Sequence, residues 1–187
     1  MHLHRDGPRV GGLTNWGRPG HSGADSLRHV KRSSVAHLNC SVAQTLDVVG
    51  EWWTLLVVRN LMWGQHRFEA IQADLGIARN ILSDRLVTLV AHDIVQRVKY
   101  LDHPERFEYH LTAKGRELFP VIAALMAWGD KWAAPMGAPV HLVHTCGHTV
   151  TPTVVCDDCG QPLHLGDVRA RSGPGRRQVA GAATDAG

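Results

Sequence analysis

Three of the four cysteines cluster near the C-terminus, in a segment that also contains several histidines. Cys146 and His148 form a Cys-x-His pair, and after seven intervening residues Cys156 and Cys159 form a Cys-x-x-Cys pair. Two short ligand pairs on facing turns suit tetrahedral zinc. The pattern predicts a small zinc-ribbon-like β module over residues 141–167 with a structural Zn2+, because a segment this short needs a metal to fold.

The same cluster allows other ligands and other chemistry. We assign His148 as the fourth ligand, although His144 and His164 lie close in the chain. A zinc deaminase pairs His-x-Glu with Pro-Cys-x-x-Cys. Here Val150 and Val155 stand at the Glu and Pro positions, so catalysis is not predicted. A thioredoxin-like redox pair is the remaining alternative, but it requires a βαβ context that so short a segment cannot supply.

Charge and composition limit the class of protein without identifying it. The 187 residues carry a formal net charge of +3. Residues 1–39 hold six basic and two acidic residues, whereas residues 40–135 hold ten basic and eleven acidic ones. Residues 1–39 and 168–187 show no periodicity, which predicts a disordered basic leader and a disordered tail. A basic arm that follows nucleic acid is the alternative for the leader.

No apolar run approaches the roughly 18 residues of a membrane helix, and the N-terminal region has no signal-peptide core. We therefore expect a cytoplasmic protein without a membrane partner.

Residues 40–135 read as one mainly helical domain. Apolar residues three to four apart predict four helices, at residues 41–49, 52–63, 68–75 and 78–91. The third helix ends at Gly76, and the fourth is polar at its start, which is the outline of a helix-turn-helix.

The pattern then changes to the alternation typical of strands. Two runs, at residues 95–100 and 107–111, flank a turn at Pro104 and predict a two-stranded wing. A long helix from Ala113 to Trp132 follows, and Pro120 predicts a bend near Arg116 because it removes a backbone hydrogen bond. In the C-terminal module, valines predict short strands at Val150, Val154 and Val155. The predicted fold class is mainly α with a small β wing, plus the zinc-ribbon-like module.

The fourth helix has the pattern of a helix that enters the major groove of DNA. If Leu82, Leu86 and Leu89 face inward, the polar residues of its first turns face outward. We predict that Arg79 and Asn80 contact guanine and adenine edges, and that Ser83 and Arg85 bind phosphate or make mixed contacts. The wing adds cations for the DNA backbone or minor groove, namely Arg97, Lys99 and Arg106. For any single arginine, a solvated residue of a helical interaction domain is the alternative.

Several motifs are spread over residues 40–132: an early Cys, a Trp beside a Leu-Leu pair, an RF before the third helix, an LSDRL in the fourth, and an LT-x-x-G before the last. They are met by Cys40, Trp53, Arg67, Phe68, Leu82 to Leu86, Leu111, Thr112 and Gly115. This pattern resembles the HxlR-type winged helix-turn-helix transcriptional regulators. Trp52 departs from it, because the family more usually has a basic residue there.

The resemblance implies a sequence-specific transcriptional regulator, of repressor type, that binds a two-fold operator on double-stranded DNA. It also implies a homodimer through the helix at residues 113–132. The apolar stripe of this helix, with Trp128 and Trp132, would form the interface, and packing within the monomer is the alternative. In some members a Cys at the position of Cys40 senses oxidants or electrophiles, so this residue is a candidate redox sensor; a small buried hydrophobe is the alternative. The rival function is a winged-helix protein-interaction adaptor that docks through the zinc module, and no small-molecule effector can be inferred.

Overall fold

The computed structural model describes residues 34–175, so the predictions for residues 1–33 and 176–187 lie outside the described part of the chain. Its elements are α1 (Ser41–Val49), α2 (Trp52–Met62), α3 (Phe68–Leu75), α4 (Arg79–Ala91), β1 (Val95–Leu101), β2 (Arg106–Leu111), α5 (Ala113–Arg116) and α6 (Phe119–Trp132). None of the helices described is both long and apolar enough to cross a membrane. The helical domain with one small antiparallel sheet is a winged helix-turn-helix.

The turn of the helix-turn-helix lies at Gly76. This residue follows α3 with a φ of 60°, a left-handed conformation that glycine adopts without the steric cost of a Cβ. Ile77 after it is buried, and the chain then enters α4. The glycine stop and the helix pair predicted from the sequence are therefore confirmed.

The core forms where α4 packs on α2. Val57 and Val58 of α2 are fully buried, and Leu82 and Leu89 on the inner face of α4 are equally inaccessible. Burial of each such side chain stabilises the fold by roughly 1.5–3 kcal/mol. Because these leucines lie in the core, the opposite face of α4 points away from it.

A buried amide also ties α2 to α3. Asn60 is 1% exposed, and its Nδ2 donates to Asp74 Oδ2 at 2.8 Å and to Gln65 Oε1 at 3.0 Å. Its Oδ1 accepts from the guanidinium of Arg59. Because every hydrogen-bonding atom of this amide has a partner, it holds the two helices together without leaving a buried polar atom unpaired.

The wing is the antiparallel pair β1 and β2, with Val95 opposite Leu111 and an irregularity at Tyr100. A further bridge between Arg67 and Glu108, and a hydrogen bond from Tyr109 N–H to the His66 carbonyl (2.8 Å), extend the predicted two-stranded wing. The segment before α3 therefore anchors the wing to the helix-turn-helix.

The single long helix predicted from Ala113 is wrong, because the chain forms two helices there. Short α5 begins at its N-cap Thr112, whose Oγ1 accepts from Gly115 N–H at 3.1 Å. Pro120 occupies the second position of α6 rather than a helix interior. Proline lacks the N–H that a continuous helix needs, so the break replaces the expected bend.

The segments beside the domain are mostly irregular. Residues 34–39, predicted as part of a disordered leader, form a turn in which Val35 N–H donates to Asp47 Oδ1 at 3.0 Å. Within residues 137–175 the described structure contains two single-residue bridges, Val143 with Thr149 and Val155 with Pro162. Val155 makes a bridge, but the strands predicted at Val150 and Val154 do not form.

Candidate nucleic-acid interface

The outer face of α4 carries the residues predicted to meet DNA bases. Leu82, Leu86 and Leu89 are buried, whereas Asn80 and Ser83 are exposed. The expected division between the inner and outer faces is therefore confirmed. Asp84 and Val87 share the outer face, with Val87 66% exposed.

The start of α4 is also open to an anion. Its N-cap is Ala78, which makes no side-chain cap hydrogen bond. The first amides of a helix have no partner inside the helix and point along the positive end of its dipole. They are therefore available to a phosphate.

Arg79 connects α4 to a groove beside the wing. Its guanidinium lies 4.8 Å from the centroid of the Phe68 ring on α3. Arg67, Arg79 and Arg106 all line this groove of about 700 Å³, together with aromatic and acidic side chains. The first turn of α4 and the start of β2 are therefore neighbours, which the sequence alone does not establish.

Arg85 has different surroundings from those predicted. Its side chain is only 20% exposed, and Nη1 lies 3.9 Å from Glu51 Oε2 at the start of α2. Its Nε is buried without a hydrogen-bond partner. Arg85 is therefore turned toward α2, because its position falls between the inner leucines, and this geometry favours a structural role.

The cations of the wing differ in how freely they could contact DNA. Lys99 Nζ lies 2.6 Å from Glu105 Oε1 and 3.5 Å from Asp102 Oδ1, so its charge is balanced locally. Arg97 stacks on the ring of Phe107 at 3.4 Å. Arg106 is exposed at the start of β2. Arg97 and Arg106 are therefore the better placed contacts of the three predicted wing residues.

Arg67 belongs to this surface, although the sequence singled it out only as part of a family motif. It is 59% exposed, and its Nε donates to Glu108 Oε1 at 3.0 Å while its guanidinium lies 4.8 Å from the Tyr100 ring. The hydrogen bond from Arg67, with a further one from His110, holds the pKa of Glu108 below its ordinary value. The periodicity of apolar residues along the sequence could not reveal this ion pair, because the pair joins residues 41 positions apart.

A second exposed surface runs along α6 and is apolar. Ile122 and Ala123 face the core, whereas four residues at helical spacing face outward. These four are Val121 (43% exposed), Leu125 (53%), Trp128 (63%) and Trp132 (67%). We name them the α6 outer face. The stripe predicted from the sequence is thus divided between the core of the domain and this face.

Cys40 is exposed at the N-cap of α1. The buried hydrophobe considered for it is therefore excluded. It lines a cavity of about 870 Å³ together with residues 170–175, which include Arg171. The thiol is open to reagents in solution.

The predicted metal ligands form two separate pairs. Cys146 Sγ lies 3.6 Å from His148 Nδ1. Cys156 and Cys159 contact each other, and amides of Cys159 and Asp158 donate to the Cys156 sulfur, which lowers the pKa of its thiol. Within residues 34–175 no three His, Cys, Asp or Glu side chains converge closely enough to hold a metal ion.

Comparisons with known proteins agree with this architecture. The HxlR-like helix-turn-helix family model matches residues 48–136. The HTH-type transcriptional regulator Rv3095 of Mycobacterium tuberculosis, itself uncharacterized, is 44% identical over 137 residues, which cover 72% of this chain and 87% of the relative. A regulator of the same description from Synechocystis, sll1512, is 37% identical over 94 residues, or 50% of this chain and 70% of the relative.

Solved structures extend the likeness beyond the family model. The crystal structure of PA1607, a proposed transcription factor, has a TM-score of 0.67 at 39% identity and covers 74% of this chain and 99% of its own. PA1374 from Pseudomonas aeruginosa has a TM-score of 0.54 at 35% identity, over 74% of this chain and 96% of its own. With the helix-turn-helix, the wing and these relatives in agreement, the chain belongs to the HxlR-like helix-turn-helix family of winged-helix transcriptional regulators.

Proposed function

We propose that this protein is a sequence-specific DNA-binding regulator that binds a two-fold operator as a homodimer. The exposed polar face of α4, fixed by the buried leucines on its other side, carries the proposal. Asn80 is the residue type that reads adenine through two hydrogen bonds, and Arg79 the type that reads guanine. Repression is the expected outcome where the operator overlaps a promoter, because a bound dimer would exclude polymerase.

Cations around α4 supply the part of binding that does not depend on sequence. Arg67 and Arg106 line one groove with Arg79, and Arg97 lies on the same wing. Contacts of this kind to phosphates fix the register of a protein on the duplex, and they make its affinity fall as salt concentration rises. Lys99 and Arg85 are left out of the primary set, because two carboxylates balance the charge of Lys99 and the side chain of Arg85 is only 20% exposed.

The α6 outer face supports the homodimer. Two tryptophans and two aliphatic residues exposed on one helix form an apolar surface of the kind that marks a protein interface. A closed two-fold dimer would bury the same face of both protomers. It would also place two copies of α4 on half-sites about 34 Å apart, one helical turn of DNA.

Binding of the full chain to DNA from its own upstream region, measured across a salt series, tests this function. We expect saturable specific binding that Asn80→Ala and Arg79→Ala weaken toward the affinity for unrelated DNA. The matched control is Thr45→Ala on α1, outside the proposed DNA surface. Equal binding to every sequence, or none with weak salt dependence, would instead favour the protein-interaction adaptor.

Thiol-based sensing is a second candidate, favoured by the exposure of Cys40. Modification at the start of α1 would act on a helix that belongs to the same domain as the DNA-binding surface. We expect a mild oxidant to weaken operator binding of the wild type and to leave Cys40→Ser unaffected. If both respond alike, this cysteine is not the sensor.

A further inference from the structure

The C-terminal segment contains two hairpin turns but no core of its own. None of the residues from 137 to 175 is buried. Valines that could form a core are open to solvent, with Val143 and Val154 each 64% exposed and Val155 49% exposed. Isolated hairpins are marginally stable in water. Side-chain packing therefore does not explain how the fold of this segment is maintained.

The first turn presents a sulfur and an imidazole at a defined separation. The Val143–Thr149 bridge closes it, and His144 N–H donates to the His148 carbonyl at 3.0 Å. Gly147 between the two side chains has a φ of 87°. Cys146 Sγ and His148 Nδ1 lie 3.6 Å apart. Zn–S and Zn–N bonds of about 2.3 and 2.05 Å at the tetrahedral angle give an S···N separation of about 3.6 Å.

The second turn repeats this hydrogen-bond plan. The Val155–Pro162 bridge closes it, Cys156 N–H donates to the Gln161 carbonyl at 2.8 Å, and Gly160 N–H returns to the Cys156 carbonyl at 2.8 Å. Backbone amides of Cys159 and Asp158 point at the Cys156 sulfur. The turn therefore holds Cys156 and Cys159 side by side within one hydrogen-bonded loop.

We propose that these two turns are the halves of one structural zinc site, formed by Cys146, His148, Cys156 and Cys159. Each half has the ligand pair and backbone geometry of such a site, and Zn2+ would bring the halves together. His144 is the weaker candidate for the fourth ligand, because its Nδ1 accepts from Cys146 N–H at 3.3 Å. The metal would replace the missing apolar core as the source of folding free energy.

The site would also organise the surface beside α6. Leu142, Thr149 and Val150 of the first hairpin line a groove of about 400 Å³ with Met126 and Ala127 of α6. A metal that fixes the hairpin would thus fix one wall of this groove. Loss of the metal would free the wall without removing the helix-turn-helix, so metal binding and DNA binding can fail separately.

The test is metal content and thiol protection of the full chain, purified under reducing conditions. We expect one Zn2+ per chain that persists through dialysis, and a Co2+ form with the thiolate charge-transfer and d–d absorption of a tetrahedral site. With Zn2+ bound, alkylation mapped by mass spectrometry should modify Cys40 and spare the other three cysteines. After chelation all four should react.

Variants separate the ligands from their neighbours. Cys156→Ser and His148→Ala should lose the stoichiometric metal, whereas the matched changes Cys40→Ser and His144→Ala should keep it. Loss of metal from His144→Ala with retention by His148→Ala would overturn the ligand assignment. Failure of the reduced wild type to bind Zn2+, an octahedral Co2+ spectrum, or a Cys156–Cys159 disulfide in place of metal would overturn the site itself.

Discussion

Asn60 Nδ2 donates to Asp74 Oδ2 at 2.8 Å, and through this bond the core helix α2 holds the first helix of the helix-turn-helix. The amide is almost completely buried and makes further hydrogen bonds to Gln65 and Arg59. An apolar residue at this point would leave a carboxylate and a guanidinium without their shared partner. The polar pair therefore fixes how α3, and with it α4, is placed on the core.

Loss of this amide should destabilise the fold. We expect Asn60→Ala to lower the free energy of unfolding by about 2 kcal/mol, because the hydrogen bonds of this buried amide to Asp74, Gln65 and Arg59 are lost. Urea unfolding followed by far-UV circular dichroism measures the change. Asp102→Asn, at the exposed wing turn, is the control and should stay within about 0.5 kcal/mol of the wild type. A small effect at Asn60 would show that the network contributes little.

Gly115 is required by a close approach rather than by a turn. A Cβ there would collide with the Ile94 carbonyl oxygen and lie 3.0 Å from Leu111 Cδ2. We expect Gly115→Ala to cost about 2 kcal/mol of stability, because backbone must move to make room. Thermal unfolding measures the change. Gly166→Ala, where the added Cβ would meet open space, is the control and should be close to neutral. Equal melting temperatures for the two variants would contradict the steric account.

Periodicity predicted much of this fold because the buried residues are local in sequence. The leucines of α4 and the glycine after α3 are sufficient to place this helix and the turn before it. Two ion pairs depend on tertiary contacts and could not be predicted from the sequence. Arg85 pairs with Glu51 across 34 positions of chain, and Arg67 pairs with Glu108 across 41. The break before Pro120 was anticipated only as a bend, because sequence alone does not show where a helix restarts.

Substitutions at Arg85 and Asn80 should distinguish a residue that stabilises the fold from one that recognises the DNA sequence. We expect Arg85→Ala to reduce stability and leave base preference unchanged, because its guanidinium faces Glu51. Asn80→Ala should leave stability nearly unchanged and reduce discrimination between operator and mismatched DNA by about 10- to 100-fold. Fluorescence anisotropy with the operator duplex and the mismatched duplex gives the ratio of the two affinities for each variant. Altered base preference in Arg85→Ala would return this residue to the interface.

The proposed dimer through the α6 outer face predicts that a charge placed on this face weakens self-association. Trp128→Glu should weaken self-association by about 100-fold or more, because a central tryptophan is the residue type that dominates interface energy. Sedimentation equilibrium gives the dissociation constant. Leu101→Glu makes the same kind of change on the wing, where Leu101 is 41% exposed, and should remain dimeric. A monomeric wild type would contradict the dimer, and dimers of both variants would place the interface elsewhere.

Acid should weaken the attachment of the wing. Arg67 holds the pKa of Glu108 below its ordinary value of 4.5, so the ionised carboxylate stabilises the fold above that value. This contribution is lost as the pH falls through the lowered pKa. We therefore expect Glu108→Gln to melt below the wild type near pH 7, and this difference to shrink as the pH falls below 4.5. A constant difference across this range would show that the charge of Glu108 is not its cause.

Enrichment of bound sequences from a random double-stranded DNA pool tests the central claim most directly, namely that the outer face of α4 reads base edges. The wild type should enrich a two-fold motif whose half-sites lie about one helical turn apart. Asn80→Ala should lose the preference at one position in each half while keeping the rest. A wild type that enriches no motif, or an Asn80→Ala variant with an unchanged motif, would contradict this account.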